Sequence, residues 1–209
     1  MHNPFEKPLY LEKFGLKESP YTTNPDERYL YLTDLHQEAI NMCGSLISNR
    51  EGLGLVVGPH GTGKTSIMRR LNSMMYSVGS FEVAIVEAAE HAPTIFQLVK
   101  EILESLGQEC LGRDTKTRVD QLKAYLFKLY QDDITCVLMI DEAQQMKGHL
   151  LESIRSILNV ETPHSGKLLQ VILFAMPGIK RKFRYAPSFA NRLVFCELQR
   201  MTLEEVENM

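Results

Sequence analysis

Residues Gly54–Leu71, GLVVGPHGTGKTSIMRRL, set a glycine-rich turn between an apolar run and an amphipathic one. Within it, Gly58, Pro59, His60, Gly61, Thr62, Gly63, Lys64 and Thr65 fit the spacing G-x-x-x-x-G-K-[ST]. That spacing is compatible with few folds. The turn has to leave a strand and enter a helix, so that main-chain N–H groups converge on one point. Glycine lets the backbone approach an anion more closely than a Cβ would permit. The start of the following helix adds partial positive charge at the same place. Lys64 is then placed for the β- and γ-phosphates of a nucleotide and Thr65 for magnesium, with Ser66 just inside the helix completing the candidate cofactor-binding set. His60 falls at a position of the motif that tolerates many side chains.

A phosphate loop of this kind needs a sheet behind it, and the rest of the chain supplies one. Apolar runs at 53–57, 83–87, 136–140, 168–175 and 192–198 alternate with amphipathic segments. The runs are near-continuous in apolar residues, the pattern of strands covered on both faces. This predicts an α/β fold with a parallel sheet flanked by helices. A helix is expected from Thr33 or Asp34 to about Asn49, with Asp34 and Gln37 as a capping box. Another runs from a Thr94 cap to Gly107, and a last one opens at Thr202 with Glu205. Residues 1–32, rich in Pro, Asn, Glu and aromatics, are expected to form an extended arm packed on a core of residues 33–209.

Composition narrows the options. With 209 residues, 44% hydrophobic and 23% charged, the chain is long enough for one substantial core. A formal charge of -3 argues against a generally basic, nucleic-acid-coating protein. The four cysteines show no metal-ligand spacing and read as free thiols in a reducing compartment, with Cys136 and Cys196 in runs that look buried. No apolar run approaches the roughly 20 residues that span a bilayer, and no signal-peptide pattern opens the chain. The expectation is a cytoplasmic protein without membrane insertion.

The apolar run CVLMI ends in Asp141 and Glu142. Carboxylates at the carboxyl end of such a strand face the crevice where an open α/β sheet binds ligands. Asp141 suits magnesium held through water, and Glu142 suits polarisation of an attacking water. Both acids together favour hydrolysis over plain nucleotide binding.

The segments FGLKESPY, NPDERYLYLTDLHQEAI, GPHGTGKTSIMRRL, LMIDEAQQM, LLESIRSILNVET and GKLLQVILFAMPGI resemble the ATPase domain of the ExeA-like (GspA-like) branch of AAA+ proteins. The two nucleotide motifs are widely shared; the PDERYLYL and IRSILNVET blocks are narrower. The resemblance runs from about Phe14 to Leu203. It implies a P-loop NTPase core with five parallel strands ordered 5-1-4-3-2, ATP with Mg2+ as cofactors, ATP hydrolysis that Met176 is expected to slow, and assembly into a ring or helical filament. Arg192 aligns with the arginine finger that acts on a neighbouring subunit's nucleotide. The polar sensor-one residue of the branch aligns with Met176, whose thioether cannot orient a water as an amide can. The arm around Tyr29 and Tyr31 aligns near the adenine base. The chain ends where a helical lid would begin, so it is either a piece of a longer protein or one that does without a lid.

Relatives of this branch divide between secretin assembly in type II secretion and ATP-dependent target selection in transposition, as in TnsC-like, TniB-like and MuB-like proteins. Lys180, Arg181, Lys182 and Arg184 cluster around Phe183 and are candidate contacts to double-stranded DNA. With no membrane segment, the reading leans to a DNA-bound transposition regulator working with transposition proteins. The alternatives are a secretion ATPase, a nucleotide-gated switch with little turnover, and a P-loop kinase.

Overall fold

The computed structural model describes residues 9–17, 31–88, 94–158, 161–162 and 166–207. The described chain forms two units, divided after Tyr31. The first contains a short helix, α1 (Leu9–Lys13), closed by Leu16 N–H donating to Leu11 O at 2.8 Å. The rest of its described backbone is non-helical, and Tyr29 lies outside the described residues.

The second unit alternates strands and helices. Helix α2 (Asp34–Ser48) leads to β1 (Leu53–Val57), α3 (Lys64–Val78) and β2 (Phe81–Glu87). Then come α4 (Ile95–Ser105), α5 (Thr115–Gln131), β3 (Thr135–Asp141), a 3-10 turn (Ala143–Gln145) and α6 (Gly148–Leu158). A two-stranded antiparallel ladder, β4 (Glu161–Thr162) with β5 (Gly166–Lys167), had no counterpart in the sequence pattern. The chain closes with β6 (Leu169–Ala175), a 3-10 segment (Pro177–Tyr185), α7 (Pro187–Ala190), β7 (Val194–Glu197) and α8 (Leu203–Glu207).

Five strands form one parallel sheet in the order β2-β3-β6-β1-β7, which is the 5-1-4-3-2 arrangement expected. Register is fixed by pairs such as Leu55↔Leu173, Leu138↔Val171 and Ala84↔Leu138. The strand period of two splits the core into two layers. Leu55, Leu138, Ile140 and Leu173 pack with α4, α5 and α6. Val56, Val137, Met139, Ile172 and Phe174 pack with α2 and α3. Strands β1 and β6 are buried along their whole length, so their apolar runs satisfy both layers. Full burial of a side chain such as Phe174 contributes about 1.5–3 kcal/mol.

Strand β7 departs from the expectation of two covered faces. It is the sheet's edge, with Val194 40% and Phe195 57% exposed. Cys196, expected to be buried, is only half-buried, whereas Cys136 is fully buried.

Caps explain where the helices begin. Thr33, not Asp34, is the N-cap of α2: its hydroxyl accepts from His36 N–H while the His36 ring accepts from Thr33 N–H. Thr94 and Gln97 form the same reciprocal pair on α4, and Asp114 caps α5. Thr202 and Glu205 do so for α8, as the spacing predicts.

Candidate functional site

The site lies at the carboxyl ends of β1, β3 and β6. Gly58 N–H donates to Ala175 O at 3.0 Å and Leu198 N–H to Val57 O at 2.7 Å, so the turn leaves β1 from a fixed point. Gly63 is the N-cap of α3 with φ +78 and offers no side-chain cap. The first N–H groups of α3 therefore point into the turn's hollow as ready donors for an anion. A Cβ on Gly63 would stand 2.8 Å from His36 Nε2.

His36 is a residue that sequence reasoning did not single out. It is buried, and its Nε2 lies 2.9 Å from Thr62 O inside the phosphate loop. Because Thr33 N–H donates to Nδ1, the ring proton sits on Nε2 and is donated to Thr62 O. Helix α2 is thus tied to the loop through one imidazole. The cue was present as Thr33-x-x-His36, a cap spacing with an unusual partner.

Lys64 is buried and curls back over the loop, donating to Gly58 O at 2.9 Å and Pro59 O at 2.8 Å. Burial pushes its ammonium below the ordinary lysine range, while the Glu142 and Asp141 carboxylates oppose that shift. Thr62 Oγ1 donates to Pro59 O at 2.9 Å, and His60 stands exposed at the loop tip with Gly61.

The acidic pair meets this loop from β3. Thr65 Oγ1 donates to Asp141 Oδ2 at 3.0 Å, and Asp141 Oδ1 accepts from Glu142 N–H at 2.8 Å. Glu142 has φ +51, in the left-handed region that non-glycine residues seldom occupy. Its Oε2 accepts from Gln144 Nε2, and Gln144 Oε1 accepts from Met176 N–H at 2.8 Å. Hence Met176 offers its backbone at the end of β6, and an amide two residues after Glu142 offers the side chain. Gln144 was also missed.

The donor set suits a magnesium nucleotide. Thr65 hydroxyl and Asp141 carboxylate are hard oxygen ligands side by side. No cluster of three or more His, Cys, Asp or Glu that could hold a metal occurs among the described residues. Mg2+ fits such a site because it keeps waters and takes phosphate oxygens to complete its shell. The free N–H groups at the start of α3 and the Lys64 ammonium are the donor types that a phosphate chain requires.

Two groups of expected residues lie elsewhere. Arg192 precedes β7 at the amino-terminal edge of the sheet, since Gly54 pairs with Val194 while Val57 pairs with Glu197 next to the loop. It is exposed and borders a hollow with Glu51, Arg155, Lys167 and Phe189. The strand's length separates it from its own phosphate loop. The basic cluster does not form one surface either. Lys182 turns inward and donates to Gln144 O and to Met146 O, the latter at 2.7 Å. Lys180 is paired with Glu197 at 2.6 Å. Only Arg181 and Arg184 of the four are exposed without an ion-pair partner among the described residues. Lys182 faces inward because residues three apart in a 3-10 segment share a face, and half-buried Lys182 shares that face with buried Ile179.

A family model described as an AAA domain matches residues 47–183. The chain belongs to the AAA-domain family. As an AAA domain it is an ATPase using ATP and Mg2+. It is 29% identical over 178 residues to general secretion pathway protein A of Aeromonas hydrophila, covering 84% of this chain and 31% of that one. The AAA domain here thus spans about a third of that relative's length. Among solved structures it is similar to the Aeropyrum pernix ORC2 protein, with TM-score 0.63 and 19% identity over 88% of this chain and 52% of that one. It is also similar to Drosophila ORC bound to DNA, with TM-score 0.65 and 18% identity over 83% and 45%. Cdc6p from Pyrobaculum aerophilum gives TM-score 0.63 and 16% identity over 83% and 46%. These likenesses establish the fold. Among the described residues, no helix is long and apolar enough to cross a membrane.

Proposed function

We propose that the chain is an ATP-gated assembly factor, in which Lys64, Thr65, Asp141 and Glu142 carry nucleotide binding and turnover. The observation behind this reading is the meeting of the loop and the acidic strand end, with Thr65 bonded to Asp141 and Lys64 folded over the turn. Gly58, Pro59, His60, Gly61, Thr62, Gly63 and Ser66 complete the cradle. Lys64 would exchange its two carbonyl partners for β- and γ-phosphate oxygens. Thr65 and Asp141 would hold Mg2+, which supplies charge neutralisation when bound. Glu142 would take a proton from the attacking water. Arg192, remote from its own loop, fits a role in trans, completing the site of a neighbouring copy. The chain would then assemble as a ring or filament.

The sequence relative, named general secretion pathway protein A, favours a role in secretion as the setting for such a factor. The DNA-bound, transposition-type regulator is the second reading, and the exposed pair Arg181 and Arg184 favours it. ATP-dependent sedimentation with and without double-stranded DNA over a salt series tests both. Assembly that needs ATP and ignores DNA supports the first. DNA co-sedimentation that appears with ATP and fades with salt supports the second. A chain that neither binds ATP nor assembles refutes the proposal. Comparing Glu142→Gln with wild type separates a switch, which keeps its partner when hydrolysis stops, from a motor, which loses its output.

A further inference from the structure

We propose that Gln144 is a positioning residue for hydrolysis: it holds Glu142 in place for water activation and takes the polar role that Met176 cannot. This rests on the ATPase reading above. Four bonds define the arrangement. Gln144 Oε1 accepts from Met176 N–H at 2.8 Å, and a backbone N–H can only donate. The amide's orientation is thereby fixed, and its Nε2 is left to donate to Glu142 Oε2. A bond to an ionised oxygen is charge-assisted and holds its geometry better than a neutral one. The other two act on the backbone, where Lys182 Nζ donates to Gln144 O and, at 2.7 Å, to Met146 O. One inward-facing ammonium thus ties a carbonyl of the 3-10 turn Ala143–Gln145 to that of its C-cap, Met146.

The consequence is a bridge between two strand ends. Strands β3 and β6 are neighbours, paired through Ile140↔Leu173. Glu142 follows β3 and Met176 follows β6, and the amide of Gln144 spans the gap. A carboxylate held by one oxygen keeps the other for the proton of an incoming water. The facing charged groups, Lys64 and Asp141, are committed to the phosphate loop and to Thr65. Gln144 alone addresses Glu142 through a side-chain hydrogen bond among the described residues.

The test compares Gln144→Ala and Gln144→Glu with wild type, each also in a Glu142→Gln background. Gln144→Glu keeps size and the acceptor for Met176 N–H but, when ionised, cannot donate to Glu142 and sets a like charge against it. Phosphate release gives kcat, a fluorescent ATP analogue gives Kd, and a thermal melt reports folding. Positioned acid–base groups contribute about 100- to 10,000-fold, so loss of the positioning bond should lower kcat by about tenfold in either variant. Kd should stay within about twofold, because the phosphate cradle is untouched. In the Glu142→Gln background the same changes should lower the residual rate no further, since the residue through which Gln144 acts is already disabled. Unchanged kcat in Gln144→Glu overturns the inference. So does a loss that persists in full beside Glu142→Gln, or one matched by an equal loss of nucleotide affinity. If Gln144→Ala does not fold, Gln144→Glu decides. A wild-type chain that releases no phosphate sinks the ATPase reading and this inference together, whereas normal wild-type turnover with unaffected variants sinks the inference alone.

Discussion

Gly61 and Gly63 share nearly the same backbone, φ +77 and +78, yet they should respond very differently to alanine. A Cβ on Gly61 meets nothing within 4 Å, so Gly61→Ala bears only the cost of a left-handed L-residue, about 1–2 kcal/mol. A Cβ on Gly63 would lie 2.8 Å from His36 Nε2, inside any real contact distance. His36 must move, and it cannot do so without releasing Thr62 O, to which it is bonded at 2.9 Å. Losing that bond adds about 1 kcal/mol. The free loop can relax away from the clash while the nucleotide-bound loop must keep the turn, so Gly63→Ala should cost about 2–3 kcal/mol of binding, a weakening of roughly 30- to 140-fold. The difference between the two variants, about fivefold, is the part that belongs to His36. Titration of a fluorescent ATP analogue with Mg2+ measures both, and a melt of the free chain shows whether the cost is already present without nucleotide. In a His36→Ala background the extra penalty at Gly63 should vanish, because the imidazole that blocks the Cβ is gone. Equal effects at Gly61 and Gly63, or an extra Gly63 penalty that survives His36→Ala, would refute the argument that His36 braces the loop.

Lys64→Met should weaken nucleotide binding by about 10- to 100-fold, the value of charged hydrogen bonds to phosphate, without unfolding the chain; calorimetry with ATP and Mg2+ checks it. Arg192→Ala should leave nucleotide affinity unchanged but remove the rise in specific ATPase rate with protein concentration, and mixing with Lys64→Met, which retains Arg192, should restore turnover; a steady-state assay over a concentration series reads both. Among the thiols, burial, with Cys196 adding to it, pushes Cys43 up to about 12, and burial also raises Cys136, so in the native chain these two should resist alkylation while half-buried Cys110 and Cys196 react first; mass spectrometry after brief labelling checks the order.

How much of this could be read from residues alone depended on how local each signal was. The phosphate loop and the acid pair were legible because each is a short motif at a strand end, and the alternation of apolar runs placed both strands in one sheet. The Thr94 cap and the Thr202–Glu205 pair were legible for the same reason. At α2 the cap fell to Thr33 because a histidine ring can fill the role usually given to Glu or Gln, and no pattern of acids announced it. The bond from His36 to Thr62 joins residues 26 apart, and that from Gln144 to Met176 joins residues 32 apart. Such links exist only once the sheet order is known. The segment GIKRKFRY read as one basic patch of candidate DNA contacts because charge was counted without direction. Its 3-10 winding carries Lys182 to the inner side, where carbonyls wait for it. Strand β7 read as buried because RLVFCEL is as apolar as a central strand, and its edge position is decided by topology.

The backbone of Glu142 carries a final implication for how this protein can change. At φ +51, glycine or asparagine would sit more comfortably there than glutamate. Random substitution screened for thermal resistance should thus find its gains at a residue whose carboxylate the turnover reading depends on. A lineage selected only for robustness would drift toward a sturdier, silent protein at this position. Keeping the acid means accepting the discomfort, generation after generation, for as long as turnover matters.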